Sequence, residues 1–405
     1  IPKDVSSGIC DFKYPEKVNI RSYQPTYNGH LGQIKKAIKQ IAASKKPVLY
    51  TGGGIITSGA SAELVKFAEQ LSIPVVNTLM GLGGVPGGHK LFLGMLGMHG
   101  TYAANMAITS SDLIIAIGAR FDDRATGKVD EFAPHAKIIH VDIDPTSISK
   151  NIKVDIPIVG DSRSVLKKMV EIVEAEKEEF KVYRASIGPW LNETEQWKKN
   201  FPLTYVRNGT LKPQYVIEKV FELTDGKAII ATEVGQNQMW TAQFFKFLKP
   251  RTLLTSGGLG TMGFGFPAAI GAQVAFPKSL VVDIAGDGSI QMNIQELGTA
   301  VQFNLPVKVV ILNNGYLGMV RQWQELFYEK RYTWTCLECA PDFVKLADAY
   351  GAAGYRIESE DEVESVLREA FHNGRPTLID VKVNPEESVY PMVPAGASLK
   401  EMLLV

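Results

Sequence analysis

Leu280-Val281-Val282-Asp283-Ile284-Ala285-Gly286-Asp287-Gly288 opens a stretch that closes, after residues 289–312, at Asn313-Asn314. Its first six residues are an apolar run with one charge and read as a buried strand. Gly286-Asp287-Gly288 is an acidic turn. The pattern then predicts a helix near Ile294 to Phe303 and a second buried strand from Val307 to Leu312. Strand, acidic turn, helix, strand, polar turn is a crossover unit with parallel strands. Both turns then share one sheet edge, where open α/β sheets bind ligands.

That geometry suits a magnesium diphosphate. Mg²⁺ takes six oxygens in a near-ideal octahedron. Asp287 offers a carboxylate, Asn314 an amide oxygen, and the backbone carbonyl of Tyr316 a third protein ligand. Gly286 and Gly288 let the backbone approach phosphates closely. The helix after the turn directs its positive end at the anion.

Composition narrows the class. The 405 residues suggest two to three domains. Lys and Arg total 43, as do Asp and Glu, so zero net charge favours neither nucleic acid nor a membrane as partner. There is no apolar run of membrane-spanning length and no visible signal peptide. Three cysteines argue against a disulfide framework and fit a reducing, cytoplasmic setting. Cys336 and Cys339 form a lone C-x-x-C, and zinc needs a second ligand pair. We read it as an incidental loop pair.

The chain divides into α/β units. Residues 1–30 read as an extended linker, with Pro2, Pro15 and Pro25. Residues 31–165 alternate helix and strand: a helix over Ile34–Ala43, strands at Pro47–Tyr50, Pro74–Val76, Leu113–Ile117 and Ile138–Ile143, and a helix over Ala60–Leu71. Residues 166–205 are a charged helical linker. Residues 206–385 form a second unit, with strands near Ala228–Ile230, Leu280–Ala285, Val307–Leu312 and Thr377–Val381, and a late helix over Asp361–His372. Residues 386–405 read as an irregular tail. The fold class is therefore α/β: two parallel-sheet domains with helices on both sheet faces.

Two further segments narrow the chemistry. Glu233-Val234-Gly235-Gln236-Asn237 follows a strand, and Thr255-Ser256-Gly257-Gly258-Leu259-Gly260-Thr261-Met262 is a glycine-rich turn before a small-residue helix. With the metal turns, they resemble the thiamine diphosphate (ThDP) enzymes, and among these the acetohydroxyacid synthase (acetolactate synthase) catalytic subunits. The resemblance spans essentially the whole chain. It is strongest over residues 92–127, 255–267 and 285–324, and most specific in Arg321-Gln322-Trp323-Gln324-Glu325-Leu326-Phe327-Tyr328.

The resemblance implies a transferase of branched-chain amino-acid biosynthesis. It would decarboxylate pyruvate and join the two-carbon unit to a second pyruvate or to 2-ketobutyrate. Met262 would hold ThDP bent, and the Gly260 carbonyl would accept from its amino group. Val234, Gly235, Gln236 and Asn237 would bind diphosphate, bordered by Gly258, Gly286, Gly288 and Ser289. Many relatives carry histidine where this chain has Asn237, so Asn237 is expected only to donate to phosphate. Met319, Val320 and Trp323 would line the substrate pocket, Trp323 favouring the larger ketoacid. Arg124 would pair with that ketoacid's carboxylate.

The unit over 31–165 resembles the family's FAD-binding domain, whose flavin takes no net part in the chemistry. Flavin contacts are expected from Gly53, Thr78 and Leu79; from Leu96, Gly97, Met98 and His99; from Gly118, Ala119, Arg120, Phe121 and Asp122; and from Asp142, Ile143, Asp161 and Ser162. Within the resemblance, Ile1-Pro2-Lys3-Asp4-Val5 matches the last strand of a preceding pyrimidine-binding domain, which would supply a catalytic glutamate. A homodimer or homotetramer and a small regulatory subunit are also implied. The alternative is another ThDP and FAD enzyme, such as a pyruvate oxidase or glyoxylate carboligase. Arg124 with Met319–Trp323 favours the synthase.

Overall fold

The computed structural model describes residues 1–337 and 339–404. The first sheet contains β1 (Pro47–Thr51), β2 (Val75–Asn77), β3 (Phe92–Met95), β4 (Leu113–Ile117), β5 (Lys137–Asp142) and β6 (Ile156–Val159), in the order β3-β2-β1-β4-β5-β6. The second contains β7 (Ile229–Thr232), β8 (Leu253–Thr255), β9 (Val281–Gly286), β10 (Lys308–Asn313), β11 (Ala353–Ile357) and β12 (Thr377–Lys382), in the order β11-β12-β10-β9-β7-β8. Every ladder is parallel. The central strands are buried on both faces, as crossover helices require: β1, β4 and β10 have no exposed residue.

Both orders reverse direction once beside their first strand. In the first sheet the chain leaves β1 for β2 on one side and returns to β4 on the other. In the second it leaves β7 for β8 and returns to β9. A crevice opens at each reversal, outside the carboxyl ends of the strands.

Four strands are absent from the sequence reading: β3, β6, β8 and β11. All four are sheet edges. Pro157 sits in β6, tolerated because an edge strand leaves one row of N–H groups unpaired. Gly94 lies in β3 at φ +109°, beside a register shift against β2.

Other expectations need correction. Ile1–Val5 is not a strand. Lys3–Ser6 is a short exposed helix, closed by the Ser6 and Ser7 hydroxyls donating to the Lys3 carbonyl at 3.0 and 2.8 Å. No strand pairs with it among the described residues. The helix expected near Ile294–Phe303 is present, its first turn 3-10. A separate short helix, Asp287–Ile290, starts at the acidic residue, and the 3-10 turn and the helix Leu297–Gln302 follow. Asn293 separates them, its amide donating to the Gly263 carbonyl at 2.7 Å.

Residues 166–205 form no free linker. The helices Ser162–Ala175 and Lys177–Ser186 pack Val165, Leu166, Met169, Phe180 and Tyr183 into the first sheet's core. Helix Gly188–Asn200 adds Trp190, whose indole N–H donates to the Pro47 carbonyl at 2.9 Å. The tail is irregular but anchored, although its last residue, Val405, lies outside the described residues. Val393 N–H donates to the Met98 carbonyl at 2.8 Å, and Lys128 N–H to that of Ala397 at 3.0 Å. No helix among the described residues is long and apolar enough to cross a membrane.

Candidate functional site

The β7/β9 crevice holds a pocket of about 110 Å³. Val234, Gly235, Gln236 and Asn237 enter it from the end of β7, where Gly235 at φ +146° turns the chain into the helix Gln236–Phe244. Gly286, Asp287, Gly288 and Ser289 enter from β9, and Asn314 and Tyr316 from β10. Met262, Met319 and Val320 complete the wall. A Cβ on Gly288 would lie 3.9 Å from the Met262 methyl carbon, so the methionine faces the acidic turn.

The acidic turn is fixed in detail. Asp287 is 1% exposed, and its Oδ2 accepts from Gly315 N–H at 3.0 Å. Burial pushes its carboxyl up to about 6. A neighbouring cation would reverse that shift, so this acid is poised for one. Asn314 turns Oδ1 toward Tyr316 N–H (3.1 Å) and donates Nδ2 to Gln236 Oε1 (3.0 Å). The Tyr316 backbone is held by strand-like pairing: Leu317 N–H donates to Thr335 O at 2.8 Å and Leu337 N–H to Gly315 O at 2.7 Å. Cys336 sits opposite Tyr316 in that pairing. No three His, Cys, Asp or Glu side chains group as a metal site among the described residues. A cation here would rest on one carboxylate, one amide oxygen and backbone, the hard oxygen set that suits Mg²⁺.

Two side chains read as phosphate contacts are engaged elsewhere. Asn237 donates Nδ2 to the Ile284 carbonyl at 2.8 Å. Ser289 Oγ bonds to its own turn, to Gly286 N at 3.1 Å and Gly286 O at 3.2 Å. Backbone N–H groups of the two glycine turns remain the natural anion donors.

Sequence reasoning gave no role to Glu233 or Asp283. Both are fully buried. Glu233 clamps the glycine-rich loop, accepting from Gly263 N–H at 2.5 Å and Phe266 N–H at 3.0 Å. Asp283 has no hydrogen-bond partner on either oxygen among the described residues. Burial, and secondarily the Glu233 charge, hold its carboxyl well above the usual range. A Cβ on Gly265 would meet Glu233 N at 2.5 Å, so only glycine fits over this pair. For Asp283, a lone acid in an apolar strand was the available signal.

The second crevice, at β1/β4, opens into a cleft of about 1270 Å³. That is larger than a small substrate needs. Two backbones meet at its floor: Gly54 N–H donates to the Gly118 carbonyl at 3.0 Å, and a Cβ on Gly54 would lie 2.5 Å from the Gly118 Cα. Gly53, Thr78, Leu79, Leu96, Met98 and His99 line it, as do Gly118, Ala119, Arg120, Asp122 and Arg124. Asp142, Ile143, Asp161 and Ser162 line its far end. From the second sheet come Gly258, Gly260, Met319 and Trp323, with Val234 and Gly235. Met319 thus borders both cavities. Tyr23, Tyr27 and Tyr50 also line the cleft, though nothing in their sequence context marks them.

Two expected contacts lie outside it. Phe121 is core: its ring packs edge-on against Tyr50, Phe132 and His140 at 5.3, 5.9 and 5.1 Å. Gly97, at φ +113°, supports the backbone of Arg124 and Ala125 instead. His99 is buried, and desolvation lowers its pKa to about 4, so it is neutral at physiological pH. Arg124 is exposed beside Asp123, at 3.6 Å.

Two family models match the chain. Residues 34–169 match the thiamine pyrophosphate enzyme central domain, and residues 233–381 the C-terminal TPP binding domain of the same enzymes. Among curated proteins, the chain is 50% identical to the acetolactate synthase large subunit of Haemophilus influenzae, over all of this chain and 71% of that protein. It is 49% identical to the acetolactate synthase isozyme 3 large subunit of Escherichia coli, over 100% and 71%. It is 48% identical to the acetolactate synthase of Mycobacterium leprae, over 99% and 65%.

Proposed function

The chain belongs to the acetolactate synthase large-subunit family of thiamine pyrophosphate enzymes, and from that premise we propose how its residues divide the reaction. It is a ThDP-dependent carboligase that makes acetolactate. The observation that supports the division is the meeting of Asp287, Asn314, Gln236 and Met262 in one small pocket that shares Met319 with the large cleft.

ThDP, when bound, supplies the electron sink for loss of CO₂ from a 2-ketoacid. The chain's part is to seat and orient it. The turns at Val234–Gln236 and Gly286–Gly288 present backbone N–H groups to the diphosphate. Asp287, Asn314 and the Tyr316 carbonyl would hold Mg²⁺, which neutralises the diphosphate charge. Met262 packs the cofactor from one side, and Glu233 keeps the Met262 loop in place through Gly263 and Phe266.

The second substrate is pyruvate or 2-ketobutyrate. Arg124 pairs with its carboxylate, while Met319, Val320 and Trp323 exclude water and contact its alkyl end. The large cleft suits FAD: its glycine floor admits a cofactor close to the backbone, and neutral His99 adds no charge beside the ring system. We assign that flavin a structural role. The relatives named as large subunits suggest a small regulatory partner, and the fold suits a dimer or larger assembly.

Asp287→Asn tests the seat. Removing the one charged ligand should abolish Mg²⁺-dependent ThDP retention and lower kcat/KM by about 100-fold, roughly 2.7 kcal/mol. Retention of ThDP by the variant at the parent's Mg²⁺ requirement would remove Asp287 from the seat.

A further inference from the structure

One buried side chain touches none of the cation ligands, yet it is bonded to the group that orients one of them. Gln322 is fully buried on the helix Gly318–Phe327, between Met319 and Trp323. Its Oε1 accepts from Val389 N–H at 2.8 Å, and its Nε2 donates to the Val389 carbonyl at 3.1 Å and to Met392 Sδ at 3.3 Å. Bonding to both backbone groups of one residue fixes which end of the amide is oxygen, because only oxygen accepts from an N–H.

That orientation propagates. Gln236 Nε2 donates to Gln322 Oε1 at 3.0 Å and to the Glu387 carbonyl at 3.0 Å. Gln236 Oε1 must therefore face away, where it accepts from Asn314 Nδ2 at 3.0 Å. Asn314 in turn directs Oδ1 at Tyr316 N–H, in the pocket that Asp287 also lines. An amide turned the other way would present an N–H to a cation, which repels it. Mutating outer partners that orient ligands typically costs about 10–100-fold in metal affinity.

We propose that Gln322 is a positioning residue for the metal seat: through Gln236 it holds the Asn314 amide with its oxygen toward the cation, joining the seat to the substrate-pocket helix and the 387–392 segment. The inference rests on the reading of Asp287 and Asn314 as cation ligands. It gives Gln322 a role distinct from that of Arg321. Arg321 ties the same helix to the same segment, donating to the Glu386 carbonyl at 3.1 Å and to Ser388 Oγ at 3.1 Å, but stands outside the amide chain.

The test is Mn²⁺ binding to the intact protein with ThDP, followed by electron paramagnetic resonance of the free ion. Gln322→Asn withdraws the carbonyl by one methylene and should weaken Mn²⁺ binding on the order of 10-fold or more. Gln322→Glu, protonated in this buried site, keeps the acceptor for Gln236 and Val389 and an O–H donor for the Val389 carbonyl, and should bind close to the parent. Parent-like binding by Gln322→Asn, with Asp287→Asn impaired, would overturn the relay and leave the seat standing. Equal loss in the Asn and Glu variants would also overturn it. Parent-like binding by Asp287→Asn would overturn the seat itself. Hydrogen exchange on the unmutated protein gives a readout independent of variant folding: loading Mn²⁺ and ThDP should slow exchange across residues 386–392, and no change there contradicts the relay.

Discussion

At the scale of single residues, burial does most of the chemical work. Burial raises the Asp287 carboxyl to about 6, keeps the His99 imidazole neutral, and holds the Asp283 acid well above the usual carboxylate range. Trp323 differs: it is half-buried and borders both the large cleft and an apolar recess with Met319, Val320 and Tyr328. If its ring contacts the alkyl end of the second ketoacid, Trp323→Leu should lower the preference for 2-ketobutyrate over pyruvate by about 10-fold, the scale of one methylene in an apolar pocket. Competition between the two ketoacids, read as the product ratio, checks this; an unchanged ratio takes Trp323 out of specificity. The metal turns were read from their residue types and spacing, and Arg124 and Met262 from the family resemblance. Glu233 and Gln322 were not, because one carboxylate and one amide become informative only when their partners across the fold are known.

At the scale of elements, the eight strands read from the sequence are the interior ones, and the four missed are the edges. The reason is physical. An interior parallel strand is covered on both faces and favours a continuous apolar run, as Val309–Leu312 is within β10. An edge strand can carry Pro157, Gly94 or Arg356 without losing its pairing. The short helix Asp287–Ile290 directly after β9 is absent from the sequence reading, because propensity does not register the side-chain bond from Asn293 to Gly263 that sets it apart from the next helix. Lys308 opens β10 fully buried, donating to Asn373 Oδ1 at 2.7 Å and the Arg375 carbonyl at 2.6 Å, with no ion pair among the described residues. Desolvation lowers its pKa from 10.5 to about 8. Between those values the unfolded chain binds more protons at this group than the folded one, so its contribution to stability rises with pH. The melting temperature of the parent relative to Lys308→Met should therefore climb from pH 8 toward 10.5 and level off on either side. A difference that stays flat across that window would mean the ammonium is not desolvated.

At the scale of the whole molecule, two parallel sheets each reverse strand order beside their first strand, and each reversal carries a binding crevice. The tail and the helices over 162–200 pack across the first sheet, so segments that read as linker and tail are part of the core that shapes the cleft. The α/β class was plain from the alternation of apolar runs and helices. That the two crevices share Met319 was not, since nothing in one stretch of sequence reports its distance from another. The shared wall fits the proposed carboligation, with the cofactor seat in the small pocket beside Arg124 and Trp323 in the large cleft. Product analysis on the intact protein tests this most directly, with pyruvate and 2-ketobutyrate, ThDP, Mg²⁺ and FAD supplied and dioxygen monitored. The account predicts acetolactate and acetohydroxybutyrate with no stoichiometric oxygen uptake. Acetate or acetyl phosphate formed with peroxide would contradict it, and the roles given to Arg124 and Trp323 would fall with it.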